Sequence, residues 1–439
     1  MSYVNSDLFA KEQTKTAIMH YDYMVLAGTQ GINNHKKLDR MIDVIRGLKV
    51  PLIFFCEGGG GRPGDVDAGD QNIAGLNIPS FHDFARLSGE VPLVGIGSGR
   101  LFAGNAALLG CCDVIIGTRD LNLGMGGPAM IEGGGLGVYK PEEVGPTSVQ
   151  YPNGVIDILV DNEDDAIVIA KKYLSYFQGN LGSWEAPEVE NLRYVIPENR
   201  LEVYDIREVI DNIADVGSVL EIKAGFAKGM FTGFIRVKGK PLGLIANNPL
   251  FLAGAIDSDG ADKASRFIKL CENYNIPILS LCDTPGMMVG PEIEETGLVR
   301  HCCRLFLAGA NVTVPMMTIV LRKAYGLGAQ AMAGGSFMAP QFVVGWPTAE
   351  IGAMGLEGAV KLGYRKELEA ESDVEKKEKL FKKLVDDLYE KGKAINAASL
   401  LEFDTVLDPI ESRDWISMVA ESPIDSSEKV PKNRYIDSW

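Results

Sequence analysis

The chain has 439 residues, of which 50 are glycine and 46% are hydrophobic, and its formal net charge is −16. Without a Gly-X-Y period, this composition excludes collagen-like and disordered proteins, and at this length it favours a globular chain of two domains. The acidic charge disfavours nucleic acid and membranes as partners, and the sequence has neither an apolar run of membrane-spanning length nor a basic, apolar leader. We therefore expect a cytoplasmic protein.

The first half alternates short apolar runs, bounded by glycine or proline, with helical patterns. This alternation is typical of parallel strands joined by crossover helices. We predict strands at residues 23–28, 51–56, 92–96 and 113–117, and an amphipathic helix at 33–48.

The second half repeats this order, with strands predicted at 242–246, 277–282, 315–321 and 342–345 and a helix at 261–274. Glycine is also concentrated in two blocks, residues 58–154 and 225–363. Similar spacing of matched positions indicates a duplication with loop insertions. The matched positions are Pro51 and Pro277, Pro92 and Pro315, and Val114 and Val343.

Glycine, proline and charge interrupt the pattern over residues 181–204, so the sequence predicts one domain at residues 1–190 and a second at 191–439. Near the end, residues 366–393 form a charged helical stretch that we interpret as a solvated helix face.

Cysteine and histidine give no pattern typical of a metal site. The seven cysteines include the adjacent pairs Cys111/Cys112 and Cys302/Cys303, with no Cys-x-x-Cys spacing. Reduced thiols are expected rather than disulfides or zinc. The four histidines are scattered, so the sequence predicts no metal centre.

A glycine-bearing turn follows the Val-Pro strand in each half, at residues 95–106 and 322–332. Gly104 and Asn105 lie as far beyond the first proline as Leu327 and Gly328 lie beyond the second. Backbone amides that open a helix can hold a developing oxyanion. Small residues also allow close packing of helix on strand, but the repetition of the turn favours a functional role.

A second glycine turn, EGGGGR at residues 57–62, directly follows a predicted buried strand and could line a crevice at the carboxyl ends of the strands. Its counterpart is at residues 283–290, where Pro285 and Gly286 set a rigid turn. Neither turn has the spacing of a phosphate loop or a dinucleotide fingerprint. With no serine elbow, carboxylate pair or Cys/His pair evident, catalysis should be electrostatic and ligand-assisted.

Longer motifs resemble the carboxyltransferase subunits of biotin-dependent acyl-CoA carboxylases, the propionyl-CoA and acetyl-CoA carboxylase beta-chain group of the crotonase superfamily. The similarity is strongest over residues 204–365, in the segments GLIANNP, DTPG, TVPMMTIVLRKAYG and WPTAEIGAMGLEGAV. The first half keeps mainly the glycines and looks shortened, or cut from a longer multidomain carboxylase. The resemblance implies an α/β fold of duplicated crotonase-like (ClpP/crotonase) ββα-superhelix domains.

The resemblance also implies transfer of a carboxyl group from carboxybiotin to the α-carbon of an acyl-CoA, with the biotin on a separate carrier domain or protein. In the family, two oxyanions are stabilised, one on the thioester and one on the biotin ureido oxygen. By this similarity the amides of Gly104 and Asn105 serve acyl-CoA, and those of Leu327 and Gly328 serve biotin. Further ligand-binding positions implied by the resemblance are Gly58, Gly59, Arg62, Tyr325, Gly326, Ala329 and Gln330.

The family pattern further predicts partners and substrate size. The expected partners are a biotin carboxylase and a biotin carboxyl carrier, together with other copies of the chain in a homo-oligomer, usually a hexamer built as a trimer of dimers. Ala329 and Gln330 replace a family Tyr-Asp or Tyr-Ile pair, which predicts an acyl group bulkier than acetyl.

Two alternative functions stay open at the level of sequence. A biotin-dependent acyl-CoA decarboxylase alpha subunit resembles this family and runs the transfer in reverse. A non-catalytic assembly or CoA-binding relative is also compatible, because Asn105 and Leu327 stand where the family has glycine.

Overall fold

A computed structural model describes residues 1–62, 64–65, 76–421 and 435–439. The described residues divide into two compact units. The first contains those within Met1–Gly182, Leu220–Phe226 and 435–439, and the second contains those within Ser183–Val219 and 227–421. The assignment of functional domains to residues 1–190 and 191–439 stays a prediction.

The first unit is built on a mainly parallel sheet in the order β1-β2-β3-β4-β6-β8, in which only the β1–β2 pair is antiparallel. A separate parallel pair is formed by β5 and β7. The strands of this unit are β1 (Ser2–Tyr3), β2 (Lys15–His20), β3 (Leu52–Phe55), β4 (Leu93–Gly97), β5 (Arg100–Phe102), β6 (Val114–Thr118), β7 (Asn122–Gly124), β8 (Ile158–Val160) and β9 (Leu220–Glu221).

Helices cover this sheet through their apolar faces. In the longest of them, Leu38, Ile42 and Ile45 recur at helical spacing and are buried in one core with Leu52 and Leu93 of the sheet. The helices are α1 (Lys11–Thr14), α2 (Ile32–Leu48), α3 (Ser80–Ala85), α4 (Gly104–Gly110), α5 (Pro128–Gly133), α6 (Thr147–Gln150) and α7 (Glu163–Ser175).

The second unit repeats the parallel sheet, in the order β16-β14-β13-β12-β11-β10, with β15 beside the end of β13. An antiparallel hairpin joins β10 and β11, and the other pairs are parallel. The strands are β10 (Met230–Val237), β11 (Lys240–Asn247), β12 (Ile278–Thr284), β13 (Met316–Tyr325), β14 (Phe342–Gly345), β15 (Glu350–Gly352) and β16 (Thr405–Val406).

Its longest early helix begins at a side-chain cap, where Asp257 accepts a hydrogen bond from the N–H of Gly260 at 2.8 Å. The helices are α8 (Ile206–Ile213), α9 (Ser258–Asn273), α10 (Pro291–Glu294), α11 (Leu298–Ala310), α12 (Gly326–Met332), α13 (Leu356–Gly363), α14 (Arg365–Ala370), α15 (Val374–Gly392), α16 (Ala394–Ser399) and α17 (Ser412–Ala420).

These sheets confirm the predicted α/β class, and seven of the eight predicted strands overlap observed ones. The exception is the strand at 23–28, which is wrong, because the first long strand is β2 and residues Leu26–Gly28 form a 3-10 turn. Met24 and Leu26 are exposed, so the apolar run has no sheet position to fill. The charged stretch 366–393 is helical but interrupted, since α14 ends at Ala370 and Asp373 caps the start of α15.

The 3-10 turn of the first unit has a matching turn in the second. The sequence Leu-Ala-Gly at Leu26–Gly28 recurs at Leu252–Gly254, and all three residues have positive φ in each copy. A Cβ atom on Gly28 would overlap the carbonyl oxygen of Glu57, and one on Gly254 would overlap that of Asp283. The duplication therefore extends to an unusual backbone conformation.

Candidate active site

The first predicted amide turn opens α4. Ala103 precedes the helix with φ 53° and ψ −122°, and the first bond from the helix back to it runs from the N–H of Ala107 to the oxygen of Ala103 at 2.9 Å. The N–H groups of Gly104 and Asn105 lie in the first turn, where a helix supplies no internal acceptor. These two amides are thus among the donors that the helix start can offer to an anion.

The side chain of Asn105 is fully buried and joins three neighbouring turns. Its Oδ1 accepts from the N–H of Gly60 at 3.0 Å, and its Nδ2 donates to the oxygen of Cys56 at 3.1 Å and of Gly28 at 3.3 Å. The side chain is used inside the protein, so replacement of the family glycine leaves the backbone N–H as the group that serves a ligand.

Glycine is required where these turns approach one another. A Cβ on Gly58 would overlap the Asn105 amide and the oxygen of Gly28, and one on Gly60 would lie 2.5 Å from the Cβ of Ala103. One on Gly59 would lie 3.2 Å from Thr29. The structure brings the predicted residues Gly58, Gly59, Gly104 and Asn105 together at the carboxyl ends of β3 and β5.

Arg62 lies beside this cluster and lines a cavity of about 590 Å³ in the first unit, together with Gly28 and Thr29. Its guanidinium donates to the oxygen of Thr29 at 3.0 Å and to the Thr29 hydroxyl at 3.2 Å, and it forms an ion pair with Asp65 at 3.3 Å. These contacts hold the positive charge at the wall of the cavity.

The second predicted turn opens α12 directly after β13. Gly326 has φ 55°, close to the 53° of Ala103, which supports the equivalence of the two turns. A Cβ on Gly326 would lie 2.8 Å from the oxygen of Ala353, and one on Gly328 would lie 2.7 Å from the Cα of Gly286. The turn is therefore packed between two neighbouring backbone segments.

Residues of this second turn line a cavity of about 1140 Å³ in the second unit. Leu327 is 62% exposed, so its side chain projects from the turn rather than filling the core. The predicted residues in the wall are Gly326, Leu327, Ala329 and Gln330, and apolar side chains from Phe337, Met338, Ile351, Met354, Leu356 and Leu401 complete much of it.

Tyr325 does not line this cavity; its phenol donates to Glu350 Oε1 at 2.6 Å in the interior. Burial raises the pKa of Tyr325, to which the adjacent Glu350 carboxyl adds. Burial also raises the pKa of Glu350, while Tyr325 and Arg200 act in the opposite direction. Sequence reasoning missed Glu350 and Arg200, although Glu350 falls within a family-like motif.

A buried ionic cluster supports the same region. Asp283 is fully buried, and its carboxylate accepts from the Tyr204 hydroxyl at 2.7 Å, from Arg322 Nε at 3.1 Å and from the N–H of Lys323 at 3.1 Å. Burial, together with the Asp283 carboxylate, raises the pKa of Tyr204 well above its usual value. Sequence reasoning missed this cluster because its members are far apart along the chain.

The described residues contain neither a metal-binding cluster nor a membrane-spanning helix. No group of three His, Cys, Asp or Glu side chains in these ranges could hold a metal ion. Within the same ranges, no helix combines the length and apolar character needed to cross a bilayer.

A model of the carboxyl transferase domain family matches residues 13–435, and the chain belongs to that family. It is a carboxyltransferase domain of the kind found in biotin-dependent acyl-CoA carboxylases. Both the resemblance noted from the motifs and the crotonase-like fold that it implied are confirmed.

Named relatives are carboxyltransferase subunits. The methylmalonyl-CoA carboxyltransferase 12S subunit of Propionibacterium freudenreichii subsp. shermanii is 33% identical, over 91% of this chain and 77% of the relative. The propionyl-CoA carboxylase beta chain of Saccharopolyspora erythraea is 30% identical, over 96% of this chain and 80% of the relative.

Solved structures agree. A single-chain, multi-domain long-chain acyl-CoA carboxylase superposes with a TM-score of 0.89 at 53% identity, covering 95% of this chain. This chain spans 41% of that enzyme's length. The hexameric transcarboxylase 12S with methylmalonyl-CoA bound gives a TM-score of 0.80 at 31% identity, covering 91% of this chain and 77% of that one.

Proposed function

We propose that the chain transfers the carboxyl group of carboxybiotin to the α-carbon of an acyl-CoA. The observation that carries this proposal is the repeated turn: α4 begins directly after Ala103 and α12 begins at Gly326, and these matched residues both have positive φ at the end of a parallel strand. Two matched sets of first-turn amides suit a reaction in which two oxygens develop negative charge.

Each set has a proposed ligand oxygen. The amides of Gly104 and Asn105 would bind the thioester oxygen, and those of Leu327 and Gly328 would bind the ureido oxygen of biotin. Residues 1–190 thus form the acyl-CoA side and residues 191–439 the biotin side. Removing one preorganised donor of this type costs ~3 kcal/mol, or about 10²-fold in rate.

The second cavity fits a bicyclic ligand such as biotin. Gly326 and Ala329 have small or no side chains, so they leave space for a ligand beside the turn. The cavity volume of about 1140 Å³ leaves room for more than one ligand group. When bound, carboxybiotin supplies the activated carboxyl group. The chain's own contribution is to orient the ligands and to stabilise charge through fixed N–H dipoles.

The acyl group is proposed to be bulkier than acetyl. In the family, the pocket that discriminates acyl chains lies just after the biotin turn, and there Ala329 and Gln330 replace the family's Tyr-Asp or Tyr-Ile pair. Both residues line the 1140 Å³ cavity, which is larger than the ~300–1,000 Å³ of most small-molecule sites. The structural relative at 53% identity is a long-chain acyl-CoA carboxylase, which supports a long acyl chain here.

The proposal extends to the oligomeric state, the partners and the cellular location of the chain. The 12S relative is a hexamer, which supports a hexameric homo-oligomer for this chain. A biotin carboxylase and a biotin carboxyl carrier would supply the donor. We place the reaction in the cytoplasm and in fatty acid metabolism.

The test is transfer from a carboxylated carrier to a panel of acyl-CoAs of increasing length. Leu327→Pro removes one turn amide at a position where a helix start tolerates proline, and Leu327→Ala keeps it. We expect kcat to fall about 10²-fold in the proline variant alone. Transfer only in the reverse direction supports the decarboxylase instead, binding without turnover supports the non-catalytic relative, and strict acetyl preference contradicts the proposed chain length.

A further inference from the structure

A buried hydrogen bond joins two neighbouring strands where the second amide turn begins. Tyr325 ends β13, Glu350 begins β15, and the phenol donates to the carboxylate at 2.6 Å. The strands are parallel, with Lys323 opposite Glu350 and Tyr325 opposite Gly352. The bond therefore spans the strand pair and ends on the residue that precedes Gly326.

Glu350 is a buried carboxyl group whose two oxygens are unequally satisfied. Its side chain is 2% exposed, and the guanidinium of Arg200 is 3.9 Å away. Among the described residues, its Oε2 has no hydrogen-bond partner. A buried carboxyl with one unpaired oxygen costs free energy, so its presence calls for a reason other than stability.

The first unit provides an internal comparison without this bond. Its strands β5 and β7 pair in the same register, with Arg100 opposite Asn122 and Phe102 opposite Gly124. Phe102 thus corresponds to Tyr325 but has no hydroxyl, and Asn122 corresponds to Glu350 but has no charge. Because the strand pair and the turn form in the first unit without the bond, the fold does not require it.

Residues at both ends of β15 contact the second amide turn. At its start, Glu350 holds the ring of Tyr325. Just beyond its end, the oxygen of Ala353 lies where a Cβ on Gly326 would be, at 2.8 Å. These contacts fix the direction in which the backbone leaves β13 and enters α12.

We propose that Glu350, through Tyr325 and with Arg200 behind it, is a positioning residue that fixes the orientation of the Leu327 and Gly328 amides. Amide dipoles stabilise a developing charge only when they are held in place before it forms. The identity of the anion rests on the proposed function; the fixing of the turn does not.

Four variants of the full chain separate this role from general stability, one of them Glu350→Ala, which removes the acceptor altogether. Tyr325→Phe removes the donor while keeping a ring that the first unit tolerates at this position. Glu350→Gln keeps an acceptor but removes the charge. Glu357→Gln is the matched control, because the Glu357 side chain is 51% exposed and accepts a hydrogen bond from Arg200 at 3.0 Å, whereas the Tyr325 hydroxyl donates to Glu350.

Two readouts are needed. Hydrogen exchange is followed at residues 330–332, the part of α12 whose amides bond back into the turn. We expect it to rise about tenfold in Tyr325→Phe, less in Glu350→Gln and not at all in Glu357→Gln. In the transfer assay kcat should fall about tenfold in Tyr325→Phe with KM for acyl-CoA unchanged, with partial rescue by glutamine relative to Glu350→Ala.

The outcomes are distinct. Unchanged exchange at residues 330–332 overturns the positioning role, whatever happens to kcat. Faster exchange throughout the second unit, or an equal response in Glu357→Gln, assigns the bond to general stability and also overturns it. If the wild type transfers no carboxyl group while exchange responds as expected, the proposed function fails and the positioning role stands.

Discussion

The side-chain oxygen of Asn105 accepts a hydrogen bond from the backbone N–H of Gly60 at 3.0 Å, with both residues buried. Asn105 opens α4, whereas Gly60 lies in the turn after β3. One side chain therefore ties a helix start to the end of a neighbouring strand, independently of what the N–H of Asn105 binds.

Replacing this asparagine should destabilise the first unit. Asn105→Ala leaves the N–H of Gly60 and the oxygen of Cys56 buried without their partner, which should lower the free energy of unfolding by ~2–3 kcal/mol. Urea denaturation measures the loss. Asn153→Ala, at an exposed asparagine, should cost less than ~1 kcal/mol, and equal losses would contradict the structural role.

Ala103 should be strained, because an L-residue rarely adopts φ 53° with ψ −122°. Ala103→Gly relieves this strain at a smaller cost in unfolded-chain entropy, so we expect a gain of about 1 kcal/mol in unfolding free energy. Ala107→Gly, inside the same helix, should lower it by about 1 kcal/mol. Thermal unfolding of both variants tests the opposite signs, and a loss in both would contradict the strain.

Removing the charge of Asp283 should be costly. Asp283→Asn leaves the buried guanidinium of Arg322 without its counter-ion, which should lower the free energy of unfolding by ~3–5 kcal/mol. Glu369→Gln breaks an ion pair with Arg365 in which both side chains are more than half exposed. That change should cost less than ~1 kcal/mol, and similar denaturation midpoints for the two variants would rule out this account of the cluster.

Stability should depend on the protonation of His35. Burial lowers the pKa of His35 below its ordinary value of 6.5, against the opposing charges of Asp39 and Asp65. The unfolded chain then binds the proton at a higher pH than the folded one. The neutral ring's contribution is thus complete above pH 6.5 and is lost as pH falls through the lowered value.

The measurement compares unfolding free energies of the wild type and His35→Gln between about pH 7 and pH 5. The unfolding free energy of the wild type should fall, relative to that of His35→Gln, as the pH is lowered over this interval, because only the wild type has a histidine to protonate at this position. His82→Gln alters an exposed histidine on α3 and controls for the change in net charge. Parallel pH curves for wild type and His35→Gln would refute the prediction.

Thiol labelling of the native protein should modify Cys303 first. It is exposed, Cys111 is intermediate, and Cys56, Cys112, Cys271, Cys282 and Cys302 are buried. Burial also raises the pKa of Cys56 and of Cys271, which suppresses the reactive thiolate. Mass spectrometry after brief labelling should find one dominant site, absent in Cys303→Ser; rapid labelling of Cys271 would contradict the burial.

Sequence patterns predicted most of the sheets because buried parallel strands need apolar, β-branched residues between turn residues, as at β3 and β14. The same reasoning failed at residues 23–28, where an equally apolar run forms an exposed turn. Nothing in the residue type indicates that Ala27 adopts a left-handed conformation, since alanine rarely does so. The repeated Leu-Ala-Gly at Leu252–Gly254 marks the duplication but does not indicate the conformation of either copy.

The sequence predicted the backbone turns of the candidate site but not the side-chain hydrogen bonds that support them. The spacing of glycines identified the turns at Gly104 and Gly328, because small residues are needed where backbones meet. The partners of Asn105 and Glu350 come from remote segments, so their hydrogen bonds depend on the folded arrangement. Sequence reasoning accordingly treated Asn105 as a departure from the family and did not single out Glu350.

The close contact of Gly28, Gly58 and Asn105 limits how this protein can diverge. Each turn takes up the space that a methyl group on its neighbour would need, so a viable replacement in one turn demands a simultaneous change in another. Such paired changes are rare in single-step evolution. The helices around these turns face no such constraint, so their sequences can change residue by residue, whereas Gly28, Gly58 and Asn105 can change only together.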